Sequence, residues 1–397
     1  MTLLIRGIPW FFPNLVPYHF GDADDFMSAS RALCLTTTYP DATELPFFRA
    51  PGLPLIISIL GACQIESRHT ARLILISLDM IALIGLFRIV HRMKGRNAHY
   101  ALAGSLFSFS PMIVGQTFDL QSEPLFQCCL IWCVVILISN SPRRNWIAGM
   151  LLGWASLTRP IGLGLLPLLL LGVTIRSKPL RLKGMLAAAL GFLVVVAPWT
   201  FDNWRRTGEF ILINDAGGYN LWRGTHPINQ EIYNARDPYQ LARISAELEH
   251  QLTKQLSEET RHLSKAQRSE LFSAKAASQI ADDPIESAKL ILRKLWTFVR
   301  PSPHLGVWPF RIWLAITVWE TLLYGFAIKK LYTLRSNTTL NFGVVCYLTL
   351  TCLFSMPFQV VSRFRAPLWE WVLIVLIALP SSRTQDNSKK STDITLS

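Results

Sequence analysis

Arg363-Phe364-Arg365-Ala366-Pro367-Leu368-Trp369-Glu370-Trp371 opens the last apolar run of the chain, Ala366 to Leu379. Two arginines thus stand directly at the mouth of a segment apolar enough for hydrocarbon. Charge at the end of a membrane helix costs little only where it meets water or a ligand. Near the start, Gly21-Asp22-Ala23-Asp24-Asp25-Phe26 is an acidic counterpart, and about eight further apolar runs lie between the two. Many apolar runs with charge gathered at their ends mark an all-α polytopic membrane protein.

Composition agrees. Apolar residues make up 51% of the 397-residue chain and charged residues only 16%, where soluble domains carry roughly a quarter. The mean hydropathy is +0.31. A net charge of +13 could suggest nucleic acid. The basic residues, however, fall in short clusters between apolar runs, as the positive-inside rule requires, so no nucleic-acid partner is expected. A hydrocarbon layer of about 30 Å needs roughly 20 apolar residues per helix. The candidate spans are 70–90, 98–115, 124–139, 146–158, 160–175, 184–201, 308–328, 338–355 and 366–379.

The clusters set the orientation. His91-Arg92-Met93-Lys94-Gly95-Arg96, Arg143-Arg144, Arg176 to Lys183, Lys329-Lys330 with Arg335, and Arg383 with Lys389-Lys390 all fall on one side, the cytoplasmic one. Outside lie 20–69, the turn around Gln116–Pro124, Asp202 to about Gly306, and Ser355–Arg365. Basic residues flank 146–175 at both ends, so that run crosses an even number of times. As one helix it would be about 45 Å long. Arg159-Pro160 interrupts it, which implies two short helices meeting at the outer face beside a water-filled cavity.

Residues 3–16 are apolar but broken by Arg6, Pro9 and Pro13, and they lack the basic start and small-residue cleavage site of a signal peptide. Nine spans with a cytoplasmic C-terminus put residue 1 outside. The expected account is a first helix shortened by a misplaced start codon; a full one would make ten spans. The organisation expected is therefore 1–201, an N-terminal transmembrane region whose first outer loop, 20–69, carries the acidic site. Next come 202–306, a largely helical extracytoplasmic domain, and 307–380, the C-terminal transmembrane helices. A disordered cytoplasmic tail, 381–397, completes the chain. Within the outer domain, Leu241–Leu256 and Glu258–Ala281 read as charged helices. Pro284–Val299 reads as an amphipathic helix suited to a membrane surface.

Five segments carry a resemblance to a known family. Gly21-Asp22-Ala23 with Phe26 and Ala29 resembles a first-loop acid followed by an aromatic. Phe48-Arg49-Ala50-Pro51-Gly52-Leu53-Pro54 resembles an Arg-x-Pro-Gly-Tyr-Pro segment, with Leu53 in place of the usual Tyr. Ser122-Glu123-Pro124 resembles the second-loop Ser/Thr-Glu-Pro. Ala197-Pro198-Trp199 through Asn203, then Gly217 to Gly224, resemble the family segment that comes after the sixth span. Arg363-Phe364-Arg365-Ala366-Pro367 resembles a closing Arg-Tyr-Arg-x-Pro. In this order and spacing the chain resembles bacterial integral-membrane glycosyltransferases of the GT-C type. These are the family 39 and 83 group, relatives of protein O-mannosyltransferases and lipid A aminoarabinose transferases. The likeness covers most of the chain and does not single out a substrate.

The resemblance implies a GT-C helical bundle of about 9–10 transmembrane helices in the bacterial inner membrane, with its active site facing the periplasm or exterior. It implies transfer of a sugar from a polyprenyl-phosphate donor to a lipid, glycan or protein acceptor, with membrane lipids as surroundings. Such chemistry suits the residues. A carboxylate can take the acceptor's proton, and arginine forks can hold the departing phosphate. The resemblance puts the family acid at Asp22, the candidate catalytic base, while Asp24 and Asp25 suit a helix cap. Arg49, Asp119, Glu123, Arg159, Arg363 and Arg365 are the candidate substrate-binding residues. Of the last two, one would face the lipid phosphate and the other a partner such as Glu370. Asp79 and Glu320 lie inside spans and call for partners on neighbouring helices.

No cofactor is required outright; a divalent cation between Asp22 and Glu123 is the one candidate. Cys34 and Cys63 fall in the outer loop, where both a disulfide and two free thiols are consistent with the sequence. Cys128, Cys129, Cys133, Cys346 and Cys352 fall in spans as small apolar packing residues. The alternative functions are a transporter or flippase of lipid-linked sugars, which should show inverted repeats, and a non-catalytic membrane assembly protein. No repeat is visible in the sequence.

Overall fold

The computed structural model describes residues 1–11, 22–36, 39, 49–61, 68–118, 120–139, 144–176, 181–235, 240, 243–244, 246–248, 250–251, 259–260, 262–303, 310–358, 360 and 362–380. All regular structure among them is helical. The first part comprises α1 (Thr2–Phe11), α2 (Asp22–Thr36), α3 (Gly52–Leu60), α4 (Arg68–Arg92), α5 (Asn97–Phe109), α6 (Pro111–Phe118), α7 (Glu123–Ile138), α8 (Asn145–Thr158), α9 (Leu166–Arg176) and α10 (Arg181–Thr207).

Its core is a layered series in which α10 packs on α8, α8 on α7 and α7 on α4. Small residues let α8 and α10 approach at backbone distance. A Cβ added to Gly149 would lie 1.9 Å from the Ala188 carbonyl oxygen, and one added to Gly191 would lie 1.9 Å from that of Trp146. Such crossings are typical where lipid, not water, surrounds the helices. The outer side of α10 shows why. Leu186, Leu190, Leu193 and Val194 are exposed, while Ala188, Phe192 and Val196 are buried. A helix apolar on both faces fits a bilayer.

Three helices, His69–Arg92, Leu182–Thr207 and Phe310–Thr333, are long and apolar enough to cross a membrane. Glu123–Ile138, Pro160–Thr174, Thr339–Ser355 and Ala366–Ala378 are apolar but shorter. Proline explains part of the difference from nine full spans. The expected span 98–115 is two helices, α5 and α6, because Pro111 pushes Ser110 out of helical geometry, to ψ 112°. The run 146–175 breaks at Arg159-Pro160, as its sequence implied. Arg159 is extended (φ −144°, ψ 119°), and a 3₁₀ turn, Pro160–Leu165, leads into α9.

The segment after α10 contains α11 (Gly217–Thr225), α12 (Asn229–Asn234), α13 (Lys265–Asp282) and α14 (Pro284–Val299). It has its own small core of Tyr219, Trp222, Ile232 and Phe272, with Trp222 stacked on Phe272 at 4.9 Å. Where a helix was expected over Glu258–Ala281, α13 starts at Lys265. Ser264 and Gln267 form a reciprocal capping box that fixes the start there. Most of Leu241–Leu256, Cys63 and the tail 381–397 lie outside the described residues.

The amphipathic helix α14 has the expected bounds; it buries Leu290 and Phe298 and leaves a second apolar strip exposed. Ile285, Leu292, Leu295, Trp296 and Val299 are exposed, whereas Lys294 is buried. The Lys294 amine donates to the Met356 carbonyl oxygen at 2.9 Å. Burial lowers its pKa to about 8.

The last part holds α15 (Phe310–Thr333), α16 (Thr338–Ser355), a 3₁₀ turn over Ser362–Arg365, a π turn over Ala366–Glu370 and α17 (Trp371–Ala378). The final span is therefore continuous in sequence but opens with widened π geometry, a feature often found at functional positions.

Candidate functional site

Glu123 and Arg159 meet because α7 and α8 are neighbouring antiparallel helices joined by a short connection. Pro124 helps start α7, and Glu123 sits at its positive end. Arg159 is the extended residue that closes α8. Its Nη1 lies 2.6 Å from Glu123 Oε1, and Glu123 is fully buried. The same register holds deeper in the pair, where the Cys133 thiol reaches the Ala148 carbonyl at 3.6 Å. The Arg159 guanidinium also covers the Phe364 ring, 4.7 Å from its centre. A third segment closes in from α3. A Cβ added to Gly52 would lie 2.4 Å from Thr158 Oγ1. The Arg-x-Pro-Gly segment, the Glu-Pro start of α7, the Arg-Pro break and the Arg-Phe-Arg turn thus gather at one end of α7 and α8.

Arg49 forks onto Asp25. Its Nε and Nη2 lie 2.9 and 2.7 Å from Asp25 Oδ2, and the arginine side chain is 44% exposed. Asp25 therefore serves as an arginine acceptor in the first turn of α2, which starts at Asp22, and not as the helix cap. The Tyr39 hydroxyl donates to the Arg49 carbonyl oxygen at 2.9 Å. The Tyr39 ring stands edge-on to Trp199 at 5.0 Å, and Arg206 donates to the Tyr39 carbonyl at 3.1 Å. Burial raises the Tyr39 pKa well above the usual phenol range, which keeps it a neutral donor. Tyr39, Trp199 and Arg206 thus link the stretch between α2 and α3 to the end of α10.

Asp22 heads α2, and its side chain lies outside the described residues, as do Asp119 and the side chain of Arg363. Arg365 is described and is 1% exposed. Its Nη2 donates to Glu320 Oε2 at 2.9 Å, and its Nη1 donates to the carbonyls of Phe298 at 3.0 Å and Arg300 at 2.5 Å. Its guanidinium covers Tyr324 at 5.3 Å. Arg365 thus meets α15 about ten residues from Phe310, roughly 15 Å along the helix, with Glu320 as its carboxylate. Glu370 accepts a hydrogen bond from the Ser110 hydroxyl.

A second buried pair joins Arg6 to Asp79 at 2.8 Å. Thr117 donates to the same carboxylate at 2.6 Å, and Arg6 also donates to the Ser108 carbonyl at 3.1 Å, at the broken end of α5. Arg6 interrupts an apolar run in the sequence, and the structure makes that interruption the partner of an intramembrane acid.

Sequence reasoning passed over Gln127 and Ser156. Both are buried, and the Gln127 amide and Ser156 hydroxyl have no hydrogen-bond partner among the described residues. Gln127 lies one helical turn below Glu123 on α7. A polar residue i+4 from a helix-end acid, inside an otherwise apolar run, was the available signal. Glu123 Oε2 is likewise without a hydrogen-bond partner. Buried polar atoms of this kind call for water or a ligand.

Among the described residues no group of three or more His, Cys, Asp and Glu side chains is placed to hold a metal. A divalent cation at Glu123 would have to share that carboxylate with Arg159. Cys34 is disulfide-bonded, and Cys128, Cys129, Cys133, Cys346 and Cys352 are free.

No protein-family model matches the chain, and no curated protein matches it by sequence. Among solved structures it is similar to the crystal structure of ArnT from Cupriavidus metallidurans bound to undecaprenyl phosphate. The two share 14% identity, with a TM-score of 0.42 over 95% of this chain and 76% of that one.

Proposed function

We propose that this chain is a GT-C type glycosyltransferase of the inner membrane, moving a sugar from a polyprenyl-phosphate donor to a lipid, glycan or protein acceptor on the outer face. One observation carries the reading: Arg159 contacts both Glu123 and Phe364 while Gly52 abuts Thr158. Segments far apart in sequence, each resembling a motif of that family, therefore converge at one place.

In this reading Asp22 takes the proton from the acceptor hydroxyl as that oxygen attacks the anomeric carbon. The bond from that carbon to the lipid-phosphate oxygen breaks, and the lipid phosphate leaves as an anion. Arg363 is the first residue proposed to hold it, since Arg365, Arg159 and Arg49 each already have a carboxylate partner. These three would hold charge by exchanging or sharing those partners. Glu123 and Asp119 are proposed for the acceptor, with Gln127 and Ser156 as additional polar groups near Glu123 and Arg159.

The test is turnover of a polyprenyl-phosphate sugar by the purified full chain in the presence of an envelope extract as acceptor source. Release of lipid phosphate with sugar on the acceptor is expected. Movement of the intact donor across proteoliposomes without cleavage would replace the reading with transport.

A further inference from the structure

The stretch from Met356 to Arg365 leads out of α16 into the Arg-Phe-Arg turn, and its backbone is fastened to the helices that follow α10. The Tyr233 hydroxyl, on α12, donates to the Val360 carbonyl oxygen and accepts from the Val360 N–H, both at 3.0 Å. Val360 is fully buried, so one phenol satisfies both backbone groups of a residue closed to water. Burial raises the Tyr233 pKa to about 12, and the hydroxyl therefore keeps the proton it donates.

The fastening continues on either side. The Lys294 amine on α14 donates to the Met356 carbonyl oxygen at 2.9 Å. Gly224 on α11 abuts the chain in between: a Cβ added there would lie 2.5 Å from the Pro357 carbonyl oxygen. Beyond Val360, Arg365 donates to the Phe298 and Arg300 carbonyls at 3.0 and 2.5 Å. Phe298 also stands edge-on to Trp369 in the π turn, with ring centres 5.2 Å apart. The three helices that supply these contacts are joined to one another. Asn229 Nδ2 on α12 donates to the Arg223 carbonyl of α11 at 2.6 Å, and Gln230 Nε2 donates to the Glu286 carbonyl of α14 at 3.2 Å. Bonds to backbone fix the path of the chain, whatever side chains it carries. Here they lie before the turn, at it and after it.

We infer that Tyr233 and Lys294 are positioning residues: by holding Val360 and Met356 they set the path of the chain into Ser362–Arg365, and so the backbone position of Arg363 at the lipid phosphate. The inference rests on the proposed donor-binding role of Arg363. It separates from a purely structural role at Lys294. Burial disfavours the ammonium, so Lys294→Met should melt higher at neutral pH. If Lys294 served stability alone, that variant would bind the donor at least as well as wild type. As a positioning residue, its loss weakens donor binding while the fold becomes more stable.

The experiment measures binding of a polyprenyl phosphate to the full chain in detergent, beside melting curves, for Tyr233→Phe, Lys294→Met and Arg363→Lys. Tyr233→Phe and Lys294→Met should each raise Kd about fivefold, roughly the worth of one hydrogen bond. With a polyprenyl-phosphate sugar, donor KM should rise alike and kcat should stay at the wild-type value. Wild-type Kd in both variants, with Arg363→Lys weakened, overturns the inference and leaves the donor role of Arg363 standing. Wild-type Kd in all three overturns that role and the inference with it. If Tyr233→Phe fails to fold, Lys294→Met carries the test with the same outcomes.

Discussion

Arg159 Nη1 lies 2.6 Å from Glu123 Oε1, and the glutamate is fully enclosed while the arginine side chain is 20% exposed. The pair is therefore lopsided. Removing the arginine strands a buried carboxylate, whereas neutralising the glutamate leaves a cation with a route to water. Arg159→Ala should cost about 3 kcal/mol or more of stability, as for other broken buried pairs. Glu123→Gln should cost less, and the double variant should be more stable than Arg159→Ala alone. Melting curves of the four proteins in detergent form a double-mutant cycle that checks this. A double variant no better than Arg159→Ala would show that the carboxylate is not what the arginine serves.

Asp22→Asn should leave insertion and folding intact and lower turnover by about two to four orders of magnitude, the usual worth of a general base. Asp25→Asn should act differently, because it removes the charge from the carboxylate onto which Arg49 forks, and its effect on turnover should be much smaller. Rates with a polyprenyl-phosphate sugar, taken beside circular dichroism, separate the two. Near-normal turnover in Asp22→Asn would remove it from the reaction.

The two arginines of the Arg-Phe-Arg turn should part company on substitution by lysine. Arg365 bridges Glu320 and two backbone carbonyls, a geometry an ammonium cannot reproduce. Arg365→Lys should therefore lower the melting temperature. Arg363→Lys should leave melting alone and weaken donor use by about tenfold, the equivalent of roughly 1.4 kcal/mol from one charge-assisted hydrogen bond. Donor titrations and melting curves on both variants check the split. Wild-type donor use in Arg363→Lys would mean that another group holds the phosphate.

Lys294 gives a pH dependence with a definite sign. Its folded pKa is lowered from 10.5 to about 8 by burial, so between those values the unfolded chain binds the proton that the folded chain has released. Stability therefore rises with pH across that window, and below about pH 8 the full cost, about 3 kcal/mol, is borne. Lys294→Met should raise the melting temperature at pH 7 and flatten the rise between pH 8 and 10. Melting curves across pH test it; an unchanged slope in the variant would clear Lys294 of the effect.

Orientation can be read with an impermeant thiol reagent on intact spheroplasts. Gln240→Cys should react from outside, and Arg96→Cys only after permeabilisation. Both positions are exposed, so a failure to label reports sidedness and not burial. Reaction of Arg96→Cys in intact cells would place the candidate site in the cytoplasm.

The broken run at Arg159-Pro160, the helix Pro284–Val299 and the buried acids Asp79 and Glu320 were all legible in the sequence, because proline geometry, periodicity and intramembrane charge are local signals. The pairings were not. Arg365 lies five residues from Glu370, and that closeness suggested them as partners, but the π turn and the depth of the 3₁₀ turn present Arg365 to Glu320 on another helix. Arg6 looked like damage to a span because its acid lies 73 residues away. Likewise Arg49 seemed free for a ligand because nothing local announces Asp25 as its acceptor. Contacts across long separations depend on how helices pack, and no window along the chain contains that.

The exposed apolar strip of helix α14 has a practical consequence for anyone wishing to isolate residues 202–306. One apolar strip, Ile285, Leu292, Trp296 and Val299, points away from the protein, and Lys294 points in. Cut free and placed in buffer, residues 202–306 would present that strip to water while the amine of Lys294 lost its acceptor on Met356. Such a fragment should clump or need detergent. The segment that looks most like a detachable soluble module thus carries a strip that water alone would not cover.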